Sequence, residues 1–192
     1  MIQILDQATP SGERPIRALV LTPTRELAAQ VQDSIKTYGK YLPLKSMVVF
    51  GGVNIKSQID QLKKGVDILV ATPGRLLDLC NQRACRLNQV SILVLDEADR
   101  MLDMGFLPSI RQIVRSLPTK RQTLLFSATL SKEIEVLTHE FQRTPKLVQI
   151  GRRANPAETV TQLVYEVPKH LKPALLVHLL RDPGMNMVLV FS

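Results

Sequence analysis

The chain has 192 residues, 25 basic and 17 acidic, for a formal net charge of +8. At about 100–200 residues per domain, this is one domain or one domain and the start of another. A composition of 45% hydrophobic and 22% charged residues excludes wholesale disorder, collagen and low-complexity architectures. No run approaches the ~18–20 apolar residues of a membrane span. The start, Met1-Ile2-Gln3-Ile4-Leu5-Asp6, lacks the basic region of a signal peptide. A soluble cytoplasmic protein with no membrane partner is expected. Cys80 and Cys85 have no histidine nearby and lack metal-site spacing, so they read as free thiols in a reducing compartment.

The charge is segregated. Six lysines (36, 40, 45, 56, 63 and 64) face the single acid Asp60 between Lys36 and Lys64, and Arg111–Arg121 holds four basic residues and no acid. Acids gather instead at Asp96, Glu97, Asp99 and Asp103. Such a division suits a polyanion-binding face beside a metal or nucleotide pocket, although charge runs are commonly just solvated faces. Trp is absent, so base-stacking platforms are not advertised.

In chain order, continuous apolar runs at Ala18–Leu21, Met47–Phe50, Ile68–Ala71, Ile92–Leu95, Thr123–Phe126 and Leu147–Ile150 read as strands buried on both faces. Between them Leu27, Val31, Ile35 and Tyr38 keep helical spacing, as do Ile55, Ile59 and Leu62, then Leu107, Ile110, Val114 and Leu117, then Ile134, Leu137 and Phe141. This alternation predicts a parallel α/β sheet with helices on both faces. Residues 1–150 form this domain. A loop-like linker follows at 151–161. Residues 162–192 then offer a strand-like Gln162–Val167, a helix with Leu171, Leu175 and Leu179, a turn at Asp182-Pro183-Gly184 and a strand-like Met187–Phe191, the opening of a second domain.

Ligands of such sheets bind beyond the carboxyl ends of the strands, so the residues just after each strand matter most. Thr22-Pro23-Thr24-Arg25 and Thr72-Pro73-Gly74-Arg75 each join a Thr-Pro turn, a helix start and an arginine, which makes an anion site or plain capping. Gly51-Gly52 permits close approach of a ligand, or simply a tight turn. Asp96-Glu97-Ala98-Asp99 ends an apolar strand, where Asp96 can hold Mg²⁺ and Glu97 can act on water. Ser127-Ala128-Thr129 offers two hydroxyls, or an N-cap for the helix of Ile134.

These texts, with Pro23-Thr24-Arg25-Glu26-Leu27-Ala28, occur in the order found in DEAD-box RNA helicases, and the chain resembles that family over its whole length. Arg100-Met101-Leu102-Asp103-Met104-Gly105-Phe106 is similar to the bacterial RhlE-type branch, and Val188–Ser192 to the first strand of a second RecA-like domain. The resemblance implies a RecA-like, P-loop NTPase fold and ATP-dependent unwinding of RNA. It assigns Asp96 to Mg²⁺ on the ATP phosphates, Glu97 to the hydrolytic water, and Asp99, Ser127 and Thr129 to coupling hydrolysis with strand separation. Thr24, Arg25, Gly51, Gly52, Thr72, Gly74 and Arg75 would grip one RNA strand by its backbone, independently of sequence.

One departure stands out. None of the nine glycines begins the phosphate-cradling Gly-x-x-x-x-Gly-Lys-Thr/Ser pattern. The chain therefore resembles an internal piece of a helicase, inactive alone. A nucleotide-independent RNA-binding module and a decayed helicase fragment are the alternatives. Without the strand that leads to that loop, unpaired edges are expected in the middle of the sheet, and with them a marginal, association-prone domain.

Overall fold

Four-residue aliphatic runs make the sheet. In the computed structural model, which describes residues 1–6, 14–150 and 160–191, β1 is Ala18–Leu21, β2 Ser46–Val49, β3 Ile68–Ala71, β4 Ile92–Leu95 and β5 Gln122–Leu125. All pairings are parallel, in the order β2-β3-β1-β4-β5. The register is level: Ala18 lies opposite both Ile68 and Ile92, so the strands end side by side.

Because successive side chains point to opposite faces, each central strand feeds two cores. Leu19, Leu21, Leu69, Ala71, Leu93 and Leu95 point to one face. There they meet α3 (Ile55–Leu62), α4 (Pro73–Asn81), α5 (Ala98–Asp103), α6 (Leu107–Arg115) and α7 (Lys132–Phe141). Ala18, Val20, Ile68, Val70 and Ile92 point to the other, against Leu5 of α1 (Ile2–Asp6) and Ala28 and Ile35 of α2 (Arg25–Tyr38). Helices thus cover both faces, as the alternation predicts. Beneath β1 and β3 the fully buried Asp67 takes Arg14 at 2.9 Å and Arg17 at 2.8 Å. Arg17 also donates to the Leu5 carbonyl, tying α1 to the sheet.

Several expectations need correction. The described strands run continuously, with no gap in the middle of the sheet; its edges are β2 and β5. Strand β5 starts one residue earlier than its pattern suggested, and it is only half buried. Leu147–Ile150 forms no strand, and Leu147, Val148 and Ile150 are exposed. An apolar run becomes a strand only where a neighbouring strand continues its ladder and helices cover its faces; the strand order of the sheet does not include this run.

The chain divides into two units, Met1–Arg153 and Ala154–Ser192. Most of the expected linker lies outside the described residues. In the second unit a 3₁₀ turn (Lys169–Leu171) leads into α8 (Lys172–Leu179), and the Met185 amide donates to the Asp182 carbonyl in the expected turn. The strands expected at Gln162–Val167 and Met187–Phe191 are not formed, and none of the residues 160–191 is buried. So short a segment cannot enclose a core of its own.

Candidate functional site

The ladder runs one residue beyond the strands. Thr22 N–H donates to the Ala71 carbonyl, Thr72 to Val49, Asp96 to Leu21 and Phe126 to Leu95, all at 2.8–3.1 Å. This sets the post-strand turns in a row along one edge of the sheet. In spatial order they begin at Gly51, Thr72, Thr22, Asp96 and Phe126. The basic turns therefore share the β2-β3-β1 half of the edge, and the acids and hydroxyls the β4-β5 half.

In the basic half, Thr24 caps α2, its hydroxyl accepting from the Leu27 amide at 3.2 Å. Thr72 is buried and makes no side-chain cap bond ahead of Pro73. Gly52 has φ +79°, so its backbone favours glycine; a Cβ there would come within 2.7 Å of Arg25 Nη1, the end of a side chain that can move aside. At Gly51 and Gly74 a Cβ would meet nothing within 4 Å, leaving both open to a ligand. Arg75 Nη1 donates to Gln58 Oε1 and its Nη2 to the Val53 carbonyl, each at 3.1 Å. Four other arginines pair with carboxylates: Arg14 and Arg17 with Asp67, Arg100 with Glu97, Arg111 with Glu140. Arg25 and Arg75 have no acid partner among the described residues. Two guanidiniums without counter-charge beside an open glycine turn form an anion site.

The acidic half begins at Asp96, which accepts from the Glu97 amide at 3.1 Å. Burial raises its pKa; the Glu97 hydrogen bond opposes this and the Glu97 charge adds to it. Glu97 is left-handed, with φ 51° and ψ 53°, a costly conformation for a residue with a Cβ. The kink starts α5, and the Glu97 carboxylate meets Arg100 Nη1 at 3.2 Å. Asp99 Oδ2 accepts from both the amide and the hydroxyl of Thr129, each at 3.0 Å. Ser127 Oγ donates to the Thr129 carbonyl at 2.7 Å, and Ala98 N–H to the Phe126 carbonyl. Burial raises the Asp99 pKa, but bonds from the Thr129 hydroxyl and from the Arg100 and Thr129 amides outweigh it and hold the group below the ordinary carboxylate range. The turn is not the cap of α7, a role that belongs to Ser131, whose hydroxyl accepts from Ile134.

Asp96, Glu97, Asp99, Ser127 and Thr129 thus come together, as do Arg25, Gly52 and Arg75. Gln58 escaped the sequence reading, although it is a polar residue on the apolar stripe of Ile55, Ile59 and Leu62 and that position is itself a signal. No cluster of three metal-ligating side chains exists among the described residues. A single half-buried carboxylate fits a Mg²⁺ ion that keeps its other ligands from phosphates and water. Both cysteines are free.

A doubly wound α/β sheet with its functional turns at the carboxyl ends of the strands is a nucleotide-binding architecture. The chain belongs to the DEAD/DEAH box helicase family, whose model matches residues 1–137. It is 42% identical to the ATP-dependent RNA helicase RhlB of Pseudomonas syringae pv. tomato over all of this chain and 50% of that protein. It is 40% identical to the RNA helicase CrhR of Synechocystis over 88% of this chain and 34% of that protein. Among solved structures, the yeast DEAD-box splicing factor Prp28 superposes with a TM-score of 0.68 at 33% identity, covering 74% of this chain and 35% of the other. The chain spans about half the length of its RhlB relatives.

Proposed function

We propose that this chain supplies the RNA-gripping turns and the hydrolytic acids of an ATP-dependent RNA helicase. The observation that carries the reading is the division of one sheet edge into an uncompensated basic half and an acidic, hydroxyl-bearing half. Backbone amides, open glycines and two arginines without an acid partner suit a phosphodiester chain and carry no information about base sequence. Thr24, Arg25, Gly51, Gly52, Thr72, Gly74 and Arg75 are the proposed RNA contacts.

Asp96 is the proposed holder of Mg²⁺ brought in with ATP, and a cation would offset the burial that now disfavours its charge. Glu97, aimed by its left-handed backbone, is the proposed base for the attacking water. Asp99 ties the turn after β4 to Ser127 and Thr129 after β5, so a shift of either acid is felt at the other turn; this is the proposed coupling link. The Gly-Lys-Thr cradle is not in these 192 residues, so the chain alone binds RNA without nucleotide. Residues 162–192 are the proposed start of a second RecA-like domain. Residues Arg100–Phe106 support the RhlE-type branch, the RhlB relatives support the wider RNA-helicase grouping, and the free thiols support a cytoplasmic setting.

Fluorescence anisotropy of labelled single-stranded RNA tests the grip. Binding by the 192-residue chain should be salt-sensitive, unchanged by ATP and weakened by Arg25→Ala. In a full-length helicase carrying these residues, Glu97→Gln should leave RNA binding intact and lower RNA-stimulated hydrolysis by about 10²–10⁴-fold. Tight binding that ignores salt, or a Glu97→Gln enzyme with full turnover, contradicts the reading.

A further inference from the structure

The two basic turns are joined by a residue that belongs to neither. Gln58 is 6% exposed on the sheet-facing side of α3 and uses both ends of its amide. Its Nε2 donates to the Phe50 carbonyl at 3.1 Å, at the entry to Gly51-Gly52, and its Oε1 accepts from Arg75 Nη1 at 3.1 Å. Arg75 Nη2 closes the ring on the Val53 carbonyl, at the far end of the same glycine turn. A buried amide with both ends satisfied has little freedom to rotate. We propose that Gln58 is a positioning residue that locks the Gly51–Val53 turn and the Arg75 guanidinium into one preformed grip for a phosphodiester backbone; this rests on the RNA reading above.

The choice of amide over carboxylate supports a binding role over a purely structural one. A Glu at this position would hold Arg75 with a stronger, charge-assisted bond. It would also cancel the charge that an incoming phosphate must meet, and it could not donate to Phe50. Gln fixes the guanidinium and leaves its charge free. The Arg75 Nε is buried without a hydrogen-bond partner, so orientation rests on the two terminal nitrogens, and Gln58 holds one of them. Removing that contact frees the side chain to leave the turn, and some of the binding energy must then be spent on ordering it.

The test is RNA anisotropy and thermal unfolding on the 192-residue chain at nanomolar protein, comparing wild type, Gln58→Met, Arg75→Ala and the double variant. Gln58→Met preserves volume and loses both bonds. It should weaken RNA binding about tenfold and flatten the salt slope by about 0.7, much as Arg75→Ala does. The double variant should bind within about twofold of Arg75→Ala alone, because the two act through one group. Wild-type affinity in Gln58→Met, or losses that multiply in full, overturns the assignment. If Gln58→Met fails to fold, Gln58→Glu decides, since it keeps an acceptor for Arg75: it should unfold no earlier than wild type yet bind RNA more weakly, and unchanged binding overturns the proposal. A wild-type chain that binds no RNA overturns the RNA reading itself. Binding lost in Arg75→Ala and kept in Gln58→Met overturns the Gln58 assignment alone.

Discussion

The Asp67 carboxylate has no exposed surface and accepts bonds from Arg14, Arg17 and the Lys45 amide, all at 2.8–2.9 Å. Burial alone would raise its pKa. The Lys45 amide, the bonds from Arg17 and Arg14 and the Arg17 charge outweigh that and hold it below the ordinary value. A lowered carboxylate contributes fully above its unfolded pKa of about 3.9 and loses that contribution as the pH falls through the lower folded value. Asp67→Asn removes the buried charge that Arg14 and Arg17 both face, at a cost of about 3–5 kcal/mol at pH 7. Urea unfolding should show this gap at pH 7 and a shrinking one below about pH 4. A gap that stays constant into acid would mean that packing, and not charge, is what Asp67 supplies.

Two helices end by the same device with different residues. After α5 the Gly105 amide donates to Leu102 and Phe106 to Met101, with Gly105 at φ +75°. After α4 the Arg83 amide donates to Cys80 and Ala84 to Leu79, with Arg83 at φ 56°. Both are Schellman stops, which favour glycine at the left-handed position. Gly105→Ala meets no atom within 4 Å, so its cost of about 1 kcal/mol is backbone strain alone, and Arg83→Gly should return a similar amount. Opposite shifts in the urea midpoint with unchanged m-values are the expected result. The pair also marks what sequence can disclose. The Gly105 stop is visible as a glycine after a short helix; the Arg83 stop is not, because its residue argues against its conformation. The same contrast holds for strands. Ile68–Ala71 and Ile92–Leu95 were legible because aliphatic runs buried on both faces have few other uses. Leu147–Ile150, aliphatic except for Gln149, forms no strand, because pairing depends on a neighbour that local pattern cannot see. At the site, the post-strand turns were legible by position, whereas Gln58 acts on residues 8 and 17 positions away that only the fold brings near.

At the scale of the whole chain, charge and apolar surface pull in opposite directions. Among the described residues β5 lies at an edge of the sheet and pairs with no strand on its outer side, where only Gln142 Nε2 bonds the Thr123 carbonyl. Phe126, Leu147, Val148 and Ile150 are exposed in the first unit, as are Val160, Leu163, Val164 and Met187 in the second. Exposed apolar runs and an open strand edge drive self-association. The net charge of +8 opposes it by mutual repulsion between chains. Salt shortens the reach of that repulsion to about 10 Å at 0.1 M and leaves the hydrophobic term in place. Association should therefore grow with both protein and salt concentration. RNA binding should respond to salt with the opposite sign, because phosphate contacts are lost as counterions compete. Sedimentation velocity from about 1 to 50 μM protein, a range in which exposed apolar surface commonly aggregates, should show oligomers that increase between low and moderate salt while RNA affinity falls. A chain that stays monomeric throughout and unfolds in one sharp, reversible transition would show that the exposed edge and apolar residues are harmless, and that the first unit is self-sufficient without further cover.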